Sequence, residues 1–213
     1  MDNNCFEKNM NCLKDRRKQL YDKLVEIIDN KEYDFSRFNL IETKNGQKTV
    51  EIIDNGKKFR LNSIYNPQIE AKKWADSFEF NNLDTPVIMF GLANGIFARA
   101  ILSRMNKDSF AIIVEPDISL FIYCLYEFDI CDIFSNLDIV ILLDQINSEK
   151  LTDALNSNID VKLINTQIVC IHPKMDILYH DKCKIFVKKI RERITKSFGD
   201  LFMYIILSDA ILD

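Results

Sequence analysis

The 213-residue sequence has few of the residues that shape loops or perform catalysis: five glycines, four prolines, two histidines and one tryptophan. It contains neither a Gly-x-Ser-x-Gly turn nor a Walker-type phosphate loop, and neither histidine lies near a turn that could present a nucleophile. The longest tempting apolar run, Leu201 to Leu207, is far shorter than the roughly 20 residues of a membrane span. These absences argue against a hydrolytic triad, P-loop chemistry and membrane insertion.

An excess of positive charge is also lacking. The chain has 28 Lys and Arg residues against 32 Asp and Glu residues, for a net charge of −4. Nonspecific nucleic-acid binding needs a basic field, so we expect no nucleic-acid partner. The N-terminus carries Asp2 and Glu7 and lacks the apolar segment of a secretory signal, which predicts a cytoplasmic location.

The six cysteines are widely spread and are expected to be reduced in a cytosolic chain. Cys170-x-His172 and His180-x-x-Cys183 could in principle converge on zinc, because each pair would share one face of its strand or helix. The spacing matches no structural zinc family, so we favour buried cysteines and surface histidines and predict no metal site.

The most informative stretch, residues 86–117, is read as strand, glycine turn, helix, strand and acidic turn. Val87 to Phe90 and Ala111 to Val114 are uninterrupted apolar runs, as expected of strands buried on both faces of a parallel sheet. Between them, apolar residues recur at helical spacing from Phe97 to Met105. The pattern predicts a right-handed βαβ crossover.

Ligands of open α/β sheets bind outside the carboxyl ends of the strands. The candidate binding residues at those ends are Gly91, Asn94, Gly95, Glu115 and Asp117. A helix beginning near Gly95 would offer backbone N–H groups to an anion, and Glu115, 20 positions later, is spaced to receive ribose hydroxyls. A nucleotide-like ligand of unknown identity is therefore one interpretation. A tight turn without a ligand is the other, because Ala93 stands where the middle glycine of a Gly-x-Gly-x-Gly turn would be.

Before this unit, leucines and isoleucines from Leu13 to Ile28 predict one long amphipathic helix. Three short strands then follow, at Leu40 to Thr43, Thr49 to Ile53 and Lys57 to Leu61. Asn45-Gly46 and Asn55-Gly56 separate them, and Asn-Gly is a strong hairpin signal. An antiparallel meander is therefore expected before the parallel sheet.

The remaining elements are a helix beginning at Pro67, with Trp74 as a core anchor, and further strands at Ile139 to Leu143 and Ile168 to Ile171. A long amphipathic helix from about Met175 should be stopped or bent by Gly199. The fold class is thus α/β: a Rossmann-like, mostly parallel sheet flanked by helices, preceded by an N-terminal helix and a small antiparallel β-meander. We divide it into residues 1–64, residues 65–200 and the start of an interdomain or terminal helix at 201–213.

Three spaced motifs carry a family resemblance: Leu-Asn-Ser-x-Tyr-x-Pro-x-x-Glu-Ala-x-x-Trp at 61–74, Phe-Gly-x-x-x-Gly at 90–95 and Val-Glu-Pro-Asp at 114–117. In this order they resemble the N-terminal region of bacterial motility accessory factor proteins, over roughly residues 40–200. That family is associated with attaching nonulosonic acids to flagellin. The resemblance implies a Rossmann-like N-terminal domain followed by a separate catalytic domain, with flagellin as a possible partner. Ala93 and Ile96 depart from the family's Gly-x-Gly-x-Gly-Tyr turn.

Three function classes remain open. The first is an accessory, noncatalytic domain of a flagellin-modifying glycosyltransferase, in keeping with the absence of any recognisable catalytic constellation, so no catalytic residue is assigned. The second is an S-adenosylmethionine-dependent methyltransferase-like domain, whose cofactor site uses a similar glycine turn and acidic residue. The third is a plain interaction domain.

Overall fold

The computed structural model describes residues 3–80, 84–106, 109–146, 149–158 and 166–209, with side chains as far as residue 196. Its helices and strands, in chain order, are α1 Asn3–Arg16, α2 Lys18–Asp29, β1 Phe38–Glu42, β2 Lys48–Asp54, β3 Lys57–Arg60, α3 Pro67–Asp76, β4 Val87–Phe90, α4 Ile96–Leu102, β5 Ala111–Glu115, α5 Ile118–Glu127, α6 Cys131–Ser135, β6 Ile139–Leu143, α7 Glu149–Asn158, β7 Ile168–Ile171, α8 Met175–Leu178 and α9 His180–Asp209.

A four-stranded parallel sheet lies at the centre, in the order β6-β5-β4-β7. Helices flank it, so the predicted α/β fold class is confirmed. Strand β4 is fully buried because its neighbours β5 and β7 lie on either side and helices cover both faces. The chain leaves β4 for β5 on one side and returns to β7 on the other, so the topological switch point lies between the carboxyl ends of β4 and β7.

Strand periodicity divides the core into two layers. Val87 and Met89 face a cluster that includes residues of α1, α2 and α4, whereas Ile88 and Phe90 face a cluster that includes α9 and the meander. In the first layer Trp74 packs edge-on against Phe97, with ring centroids 5.1 Å apart. A second sheet, β1-β2-β3, is the predicted antiparallel meander. Its second turn uses left-handed φ values of +49° at Asn55 and +73° at Gly56, as the Asn-Gly signal predicts.

The prediction of one continuous N-terminal helix from the leucine pattern is wrong, because the chain forms two helices, α1 and α2, with a break at Arg17. The Arg17 backbone leaves helical geometry, and its guanidinium donates hydrogen bonds to the carbonyl oxygens of Phe134 and Asn136. The Asn9 amide donates to the carbonyls of Leu125 and Phe128, at 2.8 Å each. These contacts fix α1 to α5 and α6, on the Rossmann-like unit rather than on the meander. The boundary at residue 64 stays a prediction.

The C-terminal helix differs from the expectation in two ways. It begins as the short α8, turns at Tyr179, and continues as the 30-residue α9. Gly199 lies inside α9 and does not end it. Residues 210–213 of the predicted terminal segment lie outside the described residues. Within the described part of the chain, no helix has the length and apolarity needed to cross a membrane.

Candidate functional site

The turn after β4 has an unusual backbone. Gly91, Ala93 and Gly95 have φ values of +93°, +50° and +78°, so left-handed residues alternate along it. Such alternation directs successive backbone N–H groups toward one point and creates a concavity that attracts anions. The turn therefore has a backbone conformation that can surround an anion, and Ala93 adopts a conformation that usually favours glycine.

The carboxylate of Glu115 occupies this concavity. Its Oε2 atom accepts hydrogen bonds from the backbone N–H groups of Leu92 and Ala93, both at 2.8 Å, and its Oε1 atom accepts one from Asp117 at 3.0 Å. The side chain has no solvent exposure. Because β5 runs beside β4, the end of β5 brings Glu115 directly under the turn. The chain thus places its own carboxyl group where a ligand was expected.

Opposing effects set the protonation of Glu115. Burial raises the pKa of its carboxyl group to about 7, while the hydrogen bonds from Ala93 and Asp117 act to lower it. The negative charge of Asp117 raises this pKa further, and the hydrogen bond from Leu92 lowers it. The group therefore changes charge near neutral pH inside the protein.

Asp117 caps a helix and closes the site from the side of the meander. Its Oδ1 atom accepts a hydrogen bond from the N–H of Leu120 at 3.0 Å, which satisfies the first turn of α5. Its Oδ2 atom accepts hydrogen bonds from the guanidinium of Arg37 and the hydroxyl of Tyr179. Arg37 also donates to the Tyr179 hydroxyl at 2.9 Å. Burial, followed by the nearby Asp117 charge, raises the pKa of Tyr179, so the hydroxyl keeps its proton.

Asn94 connects the turn to the meander. Its side-chain Nδ2 donates to Oδ1 of Asn62 at 2.7 Å, and the same Oδ1 accepts from the hydroxyl of Thr49 at 2.9 Å. All three residues are buried. Asn62 belongs to the first motif of the family resemblance and Asn94 to the second, so these two motifs meet in space through one hydrogen bond.

Gly95 is the N-cap residue directly before the seven-residue helix α4. A side chain at Gly95 would place its Cβ 3.0 Å from Cγ2 of Ile130 and 3.1 Å from Cδ1 of Ile133, so the glycine permits close packing of the helix start. At Gly91 the restriction is stronger, because a Cβ there would lie 2.4 Å from Cγ of Met175 and 2.9 Å from Cβ of His172. Both glycines are therefore explained by packing within the chain.

The crevice between β4 and β7 is filled by His172 and Met175, both with no exposed surface. The N–H of His172 donates to the carbonyl of Phe90 at 2.8 Å, which continues the sheet pairing into this crevice. Its Nδ1 accepts from the N–H of Lys174 at 3.2 Å, so the ring proton resides on Nε2. Burial lowers the pKa of His172 to about 3.

The expectation of surface histidines is therefore wrong for His172, although it holds for His180, which is exposed. Cys170 and Cys183 are buried, as expected, and burial raises the pKa of their thiols to about 12 and about 11. Among the described residues, no group of three or more His, Cys, Asp and Glu side chains could hold a metal ion.

The structure brings the five predicted residues, Gly91, Asn94, Gly95, Glu115 and Asp117, to one edge of the sheet. Their polar side chains all have partners within the chain: backbone N–H groups for Glu115, a backbone N–H with Arg37 and Tyr179 for Asp117, and Asn62 for Asn94. That they bind a ligand stays a prediction. Sequence reasoning considered His172 as a zinc ligand or a surface residue and did not assign Met175 to this edge. The position of His172 directly after a predicted strand was a usable signal.

The fold and this edge define a Rossmann-like α/β domain whose glycine turn is closed by a carboxylate of the same chain. A solved structure, that of the MAf glycosyltransferase from Magnetospirillum magneticum AMB-1, is similar in fold, with a TM-score of 0.61 and 12% sequence identity. The similarity covers 92% of this chain and 35% of that chain. No protein-family model and no curated protein matches the sequence.

Proposed function

We propose that this chain is an accessory, noncatalytic Rossmann-like domain of a motility accessory factor-type protein glycosyltransferase, with a part in flagellin glycosylation in the cytoplasm. Flagellin and a catalytic domain following this one are its proposed partners. Sugar transfer itself would belong to the catalytic domain, and this domain would position the acceptor or the partner.

The observation that carries the noncatalytic assignment is the hydrogen bonding of Glu115. A Rossmann-type cofactor site needs turn amides that can receive a phosphate, and here two of them already bind the Glu115 carboxylate. His172 and Met175 also fill the crevice at the switch point, where a dinucleotide would lie. Both features favour a structural role for the edge of the sheet that carries the motifs.

The likeness in fold to a protein named as a glycosyltransferase supports the proposed family. The match spans 35% of that protein, which is compatible with a role as one region of a larger enzyme. The first two motif segments also meet in space, because Asn62 of the first accepts a hydrogen bond from Asn94, which lies at an unspecified position of the second.

A nucleotide-like ligand at Gly91, Asn94, Gly95, Glu115 and Asp117 is the competing proposal, and it carries a requirement: an anionic group of that ligand must displace the Glu115 carboxylate. The methyltransferase-like alternative needs the acidic residue after the second strand to face ribose hydroxyls. In the described residues that carboxylate faces backbone N–H groups instead. The contacts therefore favour the accessory domain.

Two measurements test the proposal. The purified chain should transfer no sugar from a CMP-activated nonulosonic acid to flagellin, as followed by intact-protein mass, and it should bind neither CMP, S-adenosylmethionine nor a nicotinamide nucleotide at millimolar concentration by calorimetry. Transfer by this chain alone, or binding abolished by Glu115→Gln, would overturn the noncatalytic assignment.

The flagellin assignment needs its own experiment. In-frame deletion of the coding region for residues 1–213 in the source bacterium should lower the mass of flagellin by whole sugar units, and the wild-type gene should restore that mass. An unchanged flagellin mass, with flagellin still present, would contradict a role in flagellin glycosylation.

A further inference from the structure

Strand β6 forms one edge of the parallel sheet and pairs with β5 alone among the described strands. The N–H of Ala111 donates to the carbonyl of Asp138, and the N–H of Asp144 donates to the carbonyl of Glu115, so even-numbered residues direct their backbone groups toward β5. Alternate residues of a strand use opposite sides. Ile139, Ile141 and Leu143 therefore direct theirs outward. The N–H of Ile139 already donates to the carbonyl of Asn136, and the Lys23 ammonium donates to the carbonyl of Leu143 at 2.8 Å. Ile141 is 8% exposed, whereas Ile139 and Leu143 are each 1% exposed, so Ile141 carries the accessible backbone groups of this edge.

This edge is the floor of a groove of about 620 Å³. One wall is the break between α1 and α2 with the first turn of α2, and the other includes the start of α7. No Asp or Glu is among the described residues that line the groove. Its five cationic side chains are Arg16, Arg17, Lys18, Lys23 and Lys150. In a chain with a net charge of −4, this is a concentrated positive surface.

Among the residues that the structure describes, one of these cations forms an ion pair with a carboxylate. Lys18 pairs with Asp22, one turn further along α2, whereas Lys23 and Arg17 donate to neutral backbone carbonyls. Arg16 and Lys150 are exposed and make no ion pair with any residue that the structure describes. Most of the cations of the groove thus form no ion pair with the described residues, although the Asp144 carboxylate, which pairs with Lys182, also acts on Lys23.

We propose that this groove binds an extended acidic peptide segment of a partner protein, which adds to β6 as a further strand. The outward N–H and C=O groups of Ile141 supply the backbone hydrogen bonds, and the cations on both walls receive the acidic side chains. A second copy of this chain fits poorly, because two edges placed together would bring two sets of these cations face to face. A nucleic acid would use the cations but leave the outward backbone groups of Ile141 unpaired.

This inference concerns a different edge of the sheet from the glycine turn and does not depend on the proposed glycosyltransferase role. A partner peptide on β6 is compatible with an accessory domain or with any other interaction domain. Failure of either proposal therefore leaves the other standing.

The probe is a fluorescein-labelled peptide of seven residues that alternates Glu and Val, titrated with the complete 213-residue chain and followed by fluorescence anisotropy. We expect saturable binding that weakens as salt is raised. A Lys/Val peptide of equal length should not bind. A Glu/Val peptide with N-methyl groups on alternate residues keeps its charge but loses its hydrogen-bond donors, and it should bind at least about tenfold more weakly if strand addition occurs.

Variants of the chain locate the site. Arg16→Glu combined with Lys150→Glu should weaken binding by about tenfold or more, since two attractive contacts become repulsive. Lys57→Glu, an exposed charge reversal on β3 away from the groove, should change it less than about twofold. Circular dichroism of each variant verifies that it is folded.

Three results would overturn the inference: no binding of the Glu/Val peptide at millimolar concentration, equal binding of the N-methylated peptide, or equal weakening by Lys57→Glu. Tighter binding of single-stranded DNA than of the peptide would identify a general polyanion surface and would also overturn it.

Discussion

The Oε2 atom of Glu115 lies 2.8 Å from the backbone nitrogen of Ala93, inside the concavity of the glycine turn. In a nucleotide-binding turn the same N–H groups face a phosphate. Here a side chain from the end of the neighbouring strand takes that position, and Gly91 and Gly95 serve close packing. A pattern typical of cofactor binding therefore has a second physical use, as an internal anion site that joins two strand ends.

The first prediction concerns replacement of the Glu115 carboxyl group by an amide. Glu115→Gln keeps the shape, but its amide NH₂ must face either the N–H groups of the turn or the N–H of Asp117, which places donor against donor. We expect the free energy of unfolding to fall by about 1–3 kcal/mol. Urea denaturation, followed by the fluorescence of Trp74, measures this free energy. The control is Glu26→Gln on the exposed face of α2, which should change the free energy of unfolding by less than about 0.5 kcal/mol. Equal stability of the two variants would contradict the internal anion site.

The second prediction is the pH dependence that Glu115 adds. Its pKa in the folded protein is raised from the ordinary 4.5 to about 7, with burial as the largest cause, so the folded state binds more protons between these values. The contribution is fully present below pH 4.5 and is lost as pH rises through 7. Relative to Glu115→Gln, the wild-type protein should therefore lose stability between pH 4.5 and 7. A constant difference across this range would show that the carboxyl group is not shifted.

The third prediction concerns His172, whose pKa is lowered by burial from 6.5 to about 3. The ring should stay neutral, with its proton on Nε2, at pH 5, where an ordinary histidine is charged. Nitrogen-detected NMR of the imidazole rings tests this, and the exposed His180 gives the second set of signals in the same spectrum. The stability linked to His172 is present above pH 6.5 and is lost as pH falls toward 3. A cationic ring at pH 5 in the folded protein would contradict the burial.

The architecture was largely predictable from the sequence, because uninterrupted apolar runs such as Val87 to Phe90 and the Asn55-Gly56 turn are local signals. The two contacts that decide the nature of the site could not be predicted from the sequence. Glu115 has the spacing of a ribose ligand, and only the register of β5 against β4 brings its carboxylate under the N–H groups of Ala93 and Leu92. Likewise, nothing local shows that Met175 fills the space beside Gly91.

The break at Arg17 was missed for a similar reason. The apolar spacing from Leu13 to Leu20 is compatible with one continuous helix, so local propensity favours no interruption. The guanidinium of Arg17 finds its acceptors at Phe134 and Asn136, more than 100 positions away. A tertiary contact thus determines a local boundary, which a pattern within one window cannot show.

The fourth prediction separates packing from backbone strain at the glycines. Gly91→Ala places a Cβ 2.4 Å from Met175 in a residue with φ of +93°, whereas Gly56→Ala meets nothing within 4 Å at φ of +73°. Strain alone costs about 1–2 kcal/mol in a left-handed residue, and overpacking adds about 1–3 kcal/mol. Gly91→Ala should therefore destabilise clearly more than Gly56→Ala in thermal or urea unfolding. Equal losses would show that the space beside Gly91 is not filled as described.

The fifth prediction concerns the link between the meander and the sheet through Asp117. Arg37→Met removes the cationic partner of a carboxylate that is only 8% exposed, so we expect a loss of about 1–3 kcal/mol in the free energy of unfolding. Tyr179→Phe removes a neutral donor to the same oxygen and should cost about 1 kcal/mol. Because both groups bind Asp117, the double variant should deviate from the sum of the two single losses by at least about 0.5 kcal/mol. The matched control is Lys57→Met, which removes an exposed charge on β3. Strictly additive losses of unfolding free energy for Arg37→Met and Tyr179→Phe would contradict a shared site.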